Sequence, residues 1–391
     1  MKYPLAYDTW DNQEIEAIQE VIKKGRYTMG PQVKKFEKEF CDYFHCTHTV
    51  MVNSGSTANL LILGTLAEKY KLRGNIIVPT VSWSTTYFPL HQYGFVMNFV
   101  DIDKDTLNID CSKIEDSINS ETCAIFAVNL LGNSCDYVAL KKIADKHSLM
   151  LIEDNCESLG SITNTDEYCG TVGEFGSFSF FFSHHLQTME GGMIACKNKD
   201  DADFIRSMRA HGWCRDLEDG NSIYQKTGNA FHDSFTFITP GYSVRPLEMS
   251  GAIGSVQLKK WPTMRKGRLE NADYFVEKFK DLPVTIQKEI GCSSWFSFSI
   301  ILEDKLANCR DIIITALIAK GVECRPIVAG NFMKNPVIDT HQLKYIANGD
   351  YKNTEKIDKD GFFIGNNTKD LKENIDLVYN TIRECLGHLE M

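Results

Sequence analysis

A histidine that follows an apolar run is the residue of this sequence best placed to do chemistry. His184 stands beside His185 and is followed, a few residues later, by a Gly-Gly pair that leads into a further strand-like run. Imidazole accepts and donates protons near neutral pH, with an unperturbed pKa of about 6.5. A histidine at such a place is more often structural, and two adjacent histidines usually have one side chain turned inward and one outward. The motifs upstream of His184 favour a chemical role.

The first of these motifs is a turn rich in small residues. The segment 53–59 follows a strand-like run and opens a helix with glycine and hydroxyl residues, among them Gly55 and Ser56. Backbone N–H groups at a helix N-terminus, together with small hydroxyl groups, can bind a phosphate. An ordinary helix cap is the alternative interpretation of this turn.

Two further motifs lie between that turn and His184. Trp83 follows the run 75–78, and its side chain can cover the face of a ligand ring or fill the core. Asp154 follows the buried run 149–153, where a carboxylate can keep a pyridine nitrogen protonated or cap the next turn. The order of phosphate cradle, aromatic residue, acid and reactive residue before Gly-Gly predicts a pyridoxal-phosphate (PLP) site. Such a site normally holds its cofactor through a lysine Schiff base, which histidine cannot form.

Strand-like and helical runs alternate in the first half of the chain. The strand-like runs are 49–52, 76–78, 95–100, 123–128, 149–153, 176–181 and 193–196, and helical runs near 56–70, 112–118 and 137–147 separate several of them. This alternation predicts a mostly parallel sheet covered on both faces, with its ligand at the carboxyl ends of the strands.

The flanking regions have other patterns. Apolar spacing predicts helices over 11–25 and around 33–40, the polar segment 212–237 predicts a loop, and 247–280 is helical with an interruption at Pro262. Strands near 284–287, 294–302 and 323–328 and helices near 309–320 and 369–386 predict a smaller α+β unit. We therefore predict a large PLP-binding α/β domain over 1–245 and a small C-terminal α+β domain over 246–391.

Composition excludes several classes of protein. The chain has 391 residues with 43% hydrophobic content, which is enough for a large core. Its net charge of −10, without a block of Lys and Arg, argues against nucleic acid or an anionic membrane as the main partner. Neither a signal-peptide pattern nor an apolar stretch long enough to span a bilayer is present, so we expect a cytoplasmic protein.

The motifs resemble those of the nucleotide-sugar aminotransferase family of fold-type I PLP enzymes, and the likeness covers nearly the whole chain. The matching segments, in the family's order, are Gly30-Pro31 with Phe36-Glu37, Ser54-Gly55-Ser56-Thr57, Val100-Asp101-Ile102-Asp103, Glu153-Asp154, Gly191-Gly192, His211-Gly212 and Gly241-Tyr242. Within the family, a Ser-His-His run in place of the lysine segment is similar to the sugar 3-dehydratases. The resemblance implies an aspartate-aminotransferase-like fold with a mostly parallel central sheet, and a homodimer whose site is built from both halves.

The resemblance also implies roles at the cofactor. His184 aligns with the family's Schiff-base lysine and would be the catalytic base, and Asp154 would pair with the pyridine nitrogen. Glu157 stands near the cofactor, at a position where aminotransferase members often have Gln. Trp83 would stack on the ring. The phosphate would be held by Gly55, Ser56 and Ser179.

Three further positions are implied less directly. Ser243 stands where aminotransferase members carry an Asn that reaches the cofactor phosphate of the partner subunit, so this contact would be shortened, bridged by water or lost. His211 and Arg325 would contact the substrate.

The expected reaction removes the C3 hydroxyl of a nucleotide-linked 4-keto-6-deoxy sugar. The resemblance implies PLP and its amine form PMP as cofactors, L-glutamate as amino donor and GDP-4-keto-6-deoxymannose as substrate. Two alternatives stay open. The first alternative is an ordinary sugar aminotransferase. The missing lysine argues against it, because Lys197 and Lys199 lie beyond the Gly-Gly pair. The second alternative is a non-catalytic PLP-binding protein in which His184 marks a decayed site.

The thirteen cysteines are scattered and are expected to be reduced thiols. The group Cys41, His45, Cys46 and His48 fits no standard zinc spacing.

An iron–sulfur cluster is a second question that the cysteines raise. A related CDP-sugar 3-dehydrase holds a [2Fe–2S] cluster with four cysteines, and Cys156 and Cys214 are separated like the first two of them. The two remaining positions are Asp216 and Tyr224, whose carboxylate and phenol are poor substitutes for thiolate on iron. We therefore predict neither a cluster nor another metal.

Overall fold

The computed structural model describes residues 2–389. Its strands are β1 (His48–Val52), β2 (Asn75–Pro79), β3 (Val96–Val100), β4 (Thr122–Val128), β5 (Met150–Asp154), β6 (Phe175–Ser179), β7 (Gly192–Cys196), β8 (Val284–Thr285), β9 (Ser297–Leu302), β10 (Cys324–Arg325), β11 (Tyr345–Ile346) and β12 (Gly361–Gly365). The larger sheet has the order β1-β7-β6-β5-β4-β2-β3-β11, and the smaller one the order β10-β12-β9-β8. In the larger sheet β7 runs antiparallel to both neighbours and every other pair is parallel.

The helices are α1 (Asn12–Lys24), α2 (Pro31–Phe44), α3 (Gly55–Glu68), α4 (Ser84–Gln92), α5 (Cys111–Ser117), α6 (Tyr137–His147), α7 (Lys199–Arg209), α8 (Ala230–Asp233), α9 (Glu248–Lys278), α10 (Arg310–Ala319), α11 (Val337–Thr340), α12 (Lys352–Asp360) and α13 (Lys372–Leu389). Helix α3 is apolar nearly all round and packs against the central strands, so it lies inside the large unit. Among the helices of residues 2–389, none combines the length and the apolarity that crossing a lipid bilayer requires.

The predicted α/β architecture is confirmed. All seven strands expected between residues 49 and 196 form, with ends within two residues of the prediction. Strands β2, β4 and β5 are buried along nearly their whole length because helices cover both faces of the sheet. The smaller α+β unit has its own core around Phe275, Phe298 and Phe362.

Several details of the prediction are wrong. Pro262 does not interrupt α9, because packing of that helix against α1 and α2 holds it together on both sides of the proline. The segment 212–237 contains the short helix α8, and helices α4, α7 and α12 were not expected. Strand β12, which lies between β10 and β9, was also not expected, since its pairing partners are far away in sequence.

Two segments connect the large and small units. Tyr3, near the N-terminus, packs into the core of the small unit and donates a hydrogen bond of 2.6 Å to the carbonyl of Gly365. Strand β11, in the C-terminal part, pairs with β3 at the edge of the large sheet. The division between residues 245 and 246 stays a prediction.

Candidate active site

Strand register brings the predicted motifs to one edge of the large sheet. Gly192, the first residue of β7, lies opposite Val52 at the end of β1 and opposite Ser179 at the end of β6. A Cβ atom on Gly192 would lie 2.3 Å from the carbonyl oxygen of Ser54, so only glycine allows this approach. The turn after β1 and the end of β6 therefore meet across β7.

A cavity of about 330 Å³ lies at this edge. It is lined by Ser54, Gly55, Ser56, Asn59, Ser82, Trp83, Thr85, Val128, Asp154, Cys156, Glu157, Ser179, Phe181, Ser183, His184, Glu190, Phe296, Arg325, Val328 and Phe363. Eight residues with predicted roles line it: Gly55, Ser56, Trp83, Asp154, Glu157, Ser179, His184 and Arg325. The cavity thus joins residues that are spread over most of the chain.

The N-terminus of α3 is built to receive an anion. The side chain of Ser54 caps the helix by accepting a hydrogen bond of 3.1 Å from the N–H of Thr57. The first N–H groups of a helix, here those of Gly55 and Ser56, have no intrahelical acceptor and carry its positive dipole end. A Cβ atom on Gly55 would lie 2.6 Å from the Cβ of Ser179, so the absence of a side chain lets β6 approach the cradle.

Asp154 lies on the floor of the cavity, at the end of β5, and is almost completely buried. Asn59 Nδ2 and Thr86 Oγ1 donate hydrogen bonds of 2.8 and 2.7 Å to its Oδ2. The N–H of Cys156 donates to Oδ1 at 3.2 Å. A buried carboxylate held by several donors can balance a positive charge on a ligand above it.

Trp83 stands at the mouth of the cavity. It is the N-cap residue of α4, and 56% of its surface is exposed although tryptophan is usually well buried. An exposed indole that lines a cavity suits a ring-stacking role and argues against the alternative of a core tryptophan.

His184 is carried by a short excursion between β6 and β7. The excursion is closed by hydrogen bonds from Phe180 N to Gly191 O and from Thr188 N to Phe180 O. Within it, the N–H of His184 donates to the carbonyl of Phe181 at 2.8 Å. The imidazole lies edge to face with Phe296, with ring centroids 5.2 Å apart.

The two adjacent histidines have different surroundings, as expected. His184 lines the cavity, whereas His185 is buried behind it, with Nε2 at 3.1 Å from Ser294 Oγ and its ring against Trp261. Burial, and then the charge of Arg268, lower the pKa of His184 to about 4. The pKa of His184 thus lies below that of a free imidazole, and His184 is uncharged at neutral pH.

Glu157 lies at the back of the cavity. Its Oε2 accepts a hydrogen bond of 2.9 Å from the N–H of Leu131. Burial raises the pKa of Glu157 to about 7, and the nearby charge of Asp154 adds to this effect. Glu157 can therefore act as a hydrogen-bond donor or an acceptor near neutral pH.

Two predicted site residues do not line the cavity. Ser243 is exposed and accepts a long hydrogen bond of 3.4 Å from Arg245. His211 lies next to it, since its N–H donates to the carbonyl of Tyr242 at 2.7 Å and its ring packs against Trp213. The expected contact of Ser243 with a partner subunit and that of His211 with substrate stay predictions.

The small unit supplies part of the cavity wall. Arg325 on β10 lines the cavity, as expected of a substrate contact, and its side chain is more than half exposed. Phe296, Val328 and Phe363 join it and were not predicted, because an apolar residue gives no sequence signal of a site. Asn59 was also missed, although a polar residue inside an apolar helix was a usable signal.

No lysine is found among the residues of 2–389 that line the cavity. Lys197 Nζ donates to the carbonyl of Val172 at 2.5 Å, and Lys199 pairs with Asp203 at 2.8 Å. Both lysines are therefore held outside the cavity.

The cysteines form no metal site in the described part of the chain, where no group of three or more His, Cys, Asp or Glu is arranged as ligands. Cys156 lies at the cavity, whereas Cys214 is on another segment and donates to the carbonyl of Asp233. Burial, and then the charge of Asp154, raise the pKa of Cys156, so its thiol stays protonated.

Comparison with known proteins agrees with this geometry. Residues 8–383 match the DegT/DnrJ/EryC1/StrS aminotransferase family. The chain is 47% identical to GDP-4-keto-6-deoxy-D-mannose 3-dehydratase of Yersinia pseudotuberculosis, over 98% of this chain and 99% of the relative.

Solved structures of GDP-4-keto-6-deoxymannose-3-dehydratase are similar as well. One, a histidine-to-asparagine mutant with bound GDP-perosamine, has a TM-score of 0.94 at 45% identity and covers 97% of this chain and 99% of its own. Another, with a trapped PLP-glutamate geminal diamine, has a TM-score of 0.93 at 44% identity, with 97% and 99% covered. The chain belongs to the DegT/DnrJ/EryC1/StrS aminotransferase family.

Proposed function

We propose that this protein is a PLP- and glutamate-dependent nucleotide-sugar 3-dehydratase with GDP-4-keto-6-deoxymannose as its substrate. The overall reaction converts the 4-keto-6-deoxy sugar and glutamate into the 4-keto-3,6-dideoxy sugar, 2-oxoglutarate and ammonia. Glutamate is oxidised by two electrons, which reduce C3 of the sugar as its hydroxyl group leaves.

One observation carries the proposal: an imidazole lines the cavity where aminotransferases of this family present a lysine. The identity of 47% to a 3-dehydratase supports the same reaction, and the relative with bound GDP-perosamine supports a GDP-linked sugar. The relative with a PLP-glutamate adduct supports PLP and glutamate as cofactor and amino donor.

The residues that line the cavity fit PLP. The N-terminus of α3 and the hydroxyl groups of Ser56 and Ser179 suit its phosphate, and Asp154 suits its pyridine nitrogen. The Oδ1 atom of Asn59 is buried there without a hydrogen-bond partner in the described residues, so the cavity floor retains an acceptor. When bound, PLP and PMP supply the electron sink and the amino group for the reaction.

The chain's own residues account for the outcome. His184 cannot form a Schiff base, so the cofactor is held by non-covalent contacts alone. With the cofactor bound, its neutral imidazole would remove a proton at the C4′ carbon, and the cofactor would supply the electron sink that allows the C3 hydroxyl to depart. Asp154 stabilises the positive charge on the pyridine ring during that step. A lysine at the same place would instead complete transamination.

We also propose that the protein works as a homodimer in the cytoplasm. Large apolar side chains are exposed around residues 231–247, namely Phe231, Phe235, Phe237, Tyr242 and Leu247. Exposed apolar patches on a soluble protein mark sites of interaction with another protein surface. Each of the thirteen cysteines is a free thiol, which suits a reducing compartment.

Mass spectrometry of the nucleotide sugar tests the reaction. The protein is incubated with PLP, glutamate and GDP-4-keto-6-deoxymannose. We expect a product with one oxygen fewer, matched by equal amounts of 2-oxoglutarate and ammonia. A product in which an amine replaces the ketone would make the protein an aminotransferase. If the mass of this sugar and of a panel of other nucleotide sugars stays unchanged, the protein is a non-catalytic PLP-binding protein.

A further inference from the structure

Arg268 is a buried cation without an anionic partner. It lies on α9 with 5% of its surface exposed, and no carboxylate of residues 2–389 forms an ion pair with it. Its Nη1 donates to the carbonyls of Trp295 and Phe296 at 3.1 and 3.2 Å, while Nε has no partner within the described chain. A buried charge in this state is costly, so a compensating role is expected.

The carbonyls that Arg268 holds belong to a strained turn. Trp295 has a φ of 46°, which is unfavourable for a residue with a large side chain. Asn366 Nδ2 also donates to the carbonyl of Trp295, at 2.9 Å, and the N–H of Phe296 donates to the carbonyl of Leu131 at 3.0 Å. These contacts fix the direction in which the ring of Phe296 leaves the backbone.

Phe296 in turn packs against His184, as Phe181 also does. Its ring meets the imidazole edge to face, at 5.2 Å and 75°, and also contacts His185 at 5.5 Å. The imidazole of His184 has few polar contacts of its own, since its nearest hydroxyl partner, Ser183 Oγ, lies 3.5 Å from Nδ1. Aromatic packing is therefore the main restraint on this ring.

We propose that Arg268 is a positioning residue: its guanidinium holds the Trp295–Phe296 turn against His184 and places a positive charge behind that imidazole. The inference rests on the proposed role of His184 as the base. The positive charge of Arg268 opposes protonation of the ring, and the fixed turn holds Phe296 against it. The other charged groups that line the cavity with His184 are Asp154, Glu157, Glu190 and Arg325, and the adjacent His185 is a further titratable group beside it.

The first test measures protonation of His184 in the cofactor-free protein. Diethyl pyrocarbonate reacts with neutral imidazole, and peptide mass spectrometry reads the rate at His184 from pH 4.5 to 8. In the wild type the rate should stay nearly constant down to about pH 5. In Arg268→Met, which keeps volume without charge, the rate at pH 5 should fall by roughly two- to threefold relative to that at pH 8, because burial still lowers the pKa of His184.

Arg268→Lys and a control separate this role from a merely structural one. Lysine keeps the charge, so Arg268→Lys should restore the pH profile of His184 modification. Lysine lacks the guanidinium group that can hold two carbonyls, so kcat of the holoenzyme should stay reduced about tenfold with little change in KM. The control is Arg265→Met, one turn earlier on α9, since Arg265 contacts Gly160 and Cys292 instead of the 295–296 turn. It should lower the melting temperature and leave the His184 profile unchanged.

Three results would overturn the proposal. The first is an Arg268→Met protein with the wild-type pH profile of His184 modification and the wild-type kcat. The second is an equal change of that pH profile in Arg268→Met and Arg265→Met. The third, which applies if Arg268→Met does not fold, is an Arg268→Lys protein with the wild-type kcat. The titration uses protein without cofactor or substrate. If the wild type yields no 3-deoxy product, the proposed function is refuted. The effect of Arg268 on protonation of His184 can still be judged from the titration.

Discussion

Asn59 and Asp154, 95 positions apart in the sequence, are joined by a hydrogen bond of 2.8 Å from Nδ2 to Oδ2. The bond connects helix α3, whose N-terminus forms the anion cradle, to strand β5, whose last residue is the floor carboxylate. Thr86 of helix α4, the helix that follows Trp83, donates to the same oxygen at 2.7 Å. The three parts of the proposed cofactor site are thus held together at one carboxylate.

Replacing Asn59 tests that connection. Asn59→Leu keeps the volume and removes one donor from a buried carboxylate, so we expect a loss of about 1–3 kcal/mol in the free energy of unfolding. We also expect PLP to bind roughly tenfold more weakly, as measured by absorbance titration. Asn98→Leu is the matched control, because Asn98 makes comparable buried bonds to Asn75 and Ser117 away from the cavity. An equal loss of PLP affinity in both variants would contradict the prediction.

Replacing His184 tests its role as the base. His184→Asn preserves a polar side chain of similar size, so PLP should still bind with nearly wild-type Kd. Formation of the 3-deoxy sugar should fall by about 10²–10⁴-fold, the usual contribution of a general base. Single-turnover mass spectrometry measures the rate, and His341→Asn, at an exposed histidine, is the control. Near-normal turnover by His184→Asn would show that another group removes the proton.

Glu157 predicts a pH dependence of stability. Because burial raises its pKa to about 7, the folded protein holds this proton between about pH 4.5 and pH 7, where the unfolded chain has released it. The folded state therefore loses stability as pH rises through this window, by at most ~3 kcal/mol.

Glu157→Gln should remove this loss. The variant should gain in melting temperature over the wild type from pH 5 to pH 8, as thermal unfolding of the cofactor-free protein measures. Glu121→Gln, at an exposed carboxylate, should show no such trend. A difference between Glu157→Gln and wild type that is independent of pH would mean that Glu157 is ionised throughout.

The exposed aromatic residues predict a subunit interface. Phe231 and Phe235 are 85% and 69% exposed, which is unfavourable unless another surface covers them. The double variant Phe231→Ser, Phe235→Ser should shift the protein from dimer to monomer in analytical ultracentrifugation. Ile312→Ser with Ile318→Ser on α10 is the control, since these two large apolar side chains are also exposed, at 61% and 58%. A wild type that sediments as a monomer would refute the homodimer itself.

The sequence by itself determined the architecture of the large unit and the identity of eight of the twenty residues that line the cavity. Buried parallel strands are short apolar runs separated by helical periodicity, and this local pattern is sufficient to predict β1 to β7. Asp154 ends a strand, whereas the Gly55 turn, Trp83 and His184 each follow one, and the carboxyl ends of parallel strands lie at one edge of the sheet. Their grouping could therefore be inferred without coordinates.

Only the tertiary structure decided what surrounds these residues. The low pKa of His184 depends on burial and on the charge of Arg268. The side chains that donate hydrogen bonds to Asp154 come from α3 and α4. Phe363 enters the cavity from a sheet that forms by pairing strands distant in sequence, and Phe296 enters it from the turn before β9. Residue type and spacing carry no record of such contacts, because burial, charge proximity and long-range pairing arise only when the chain has packed.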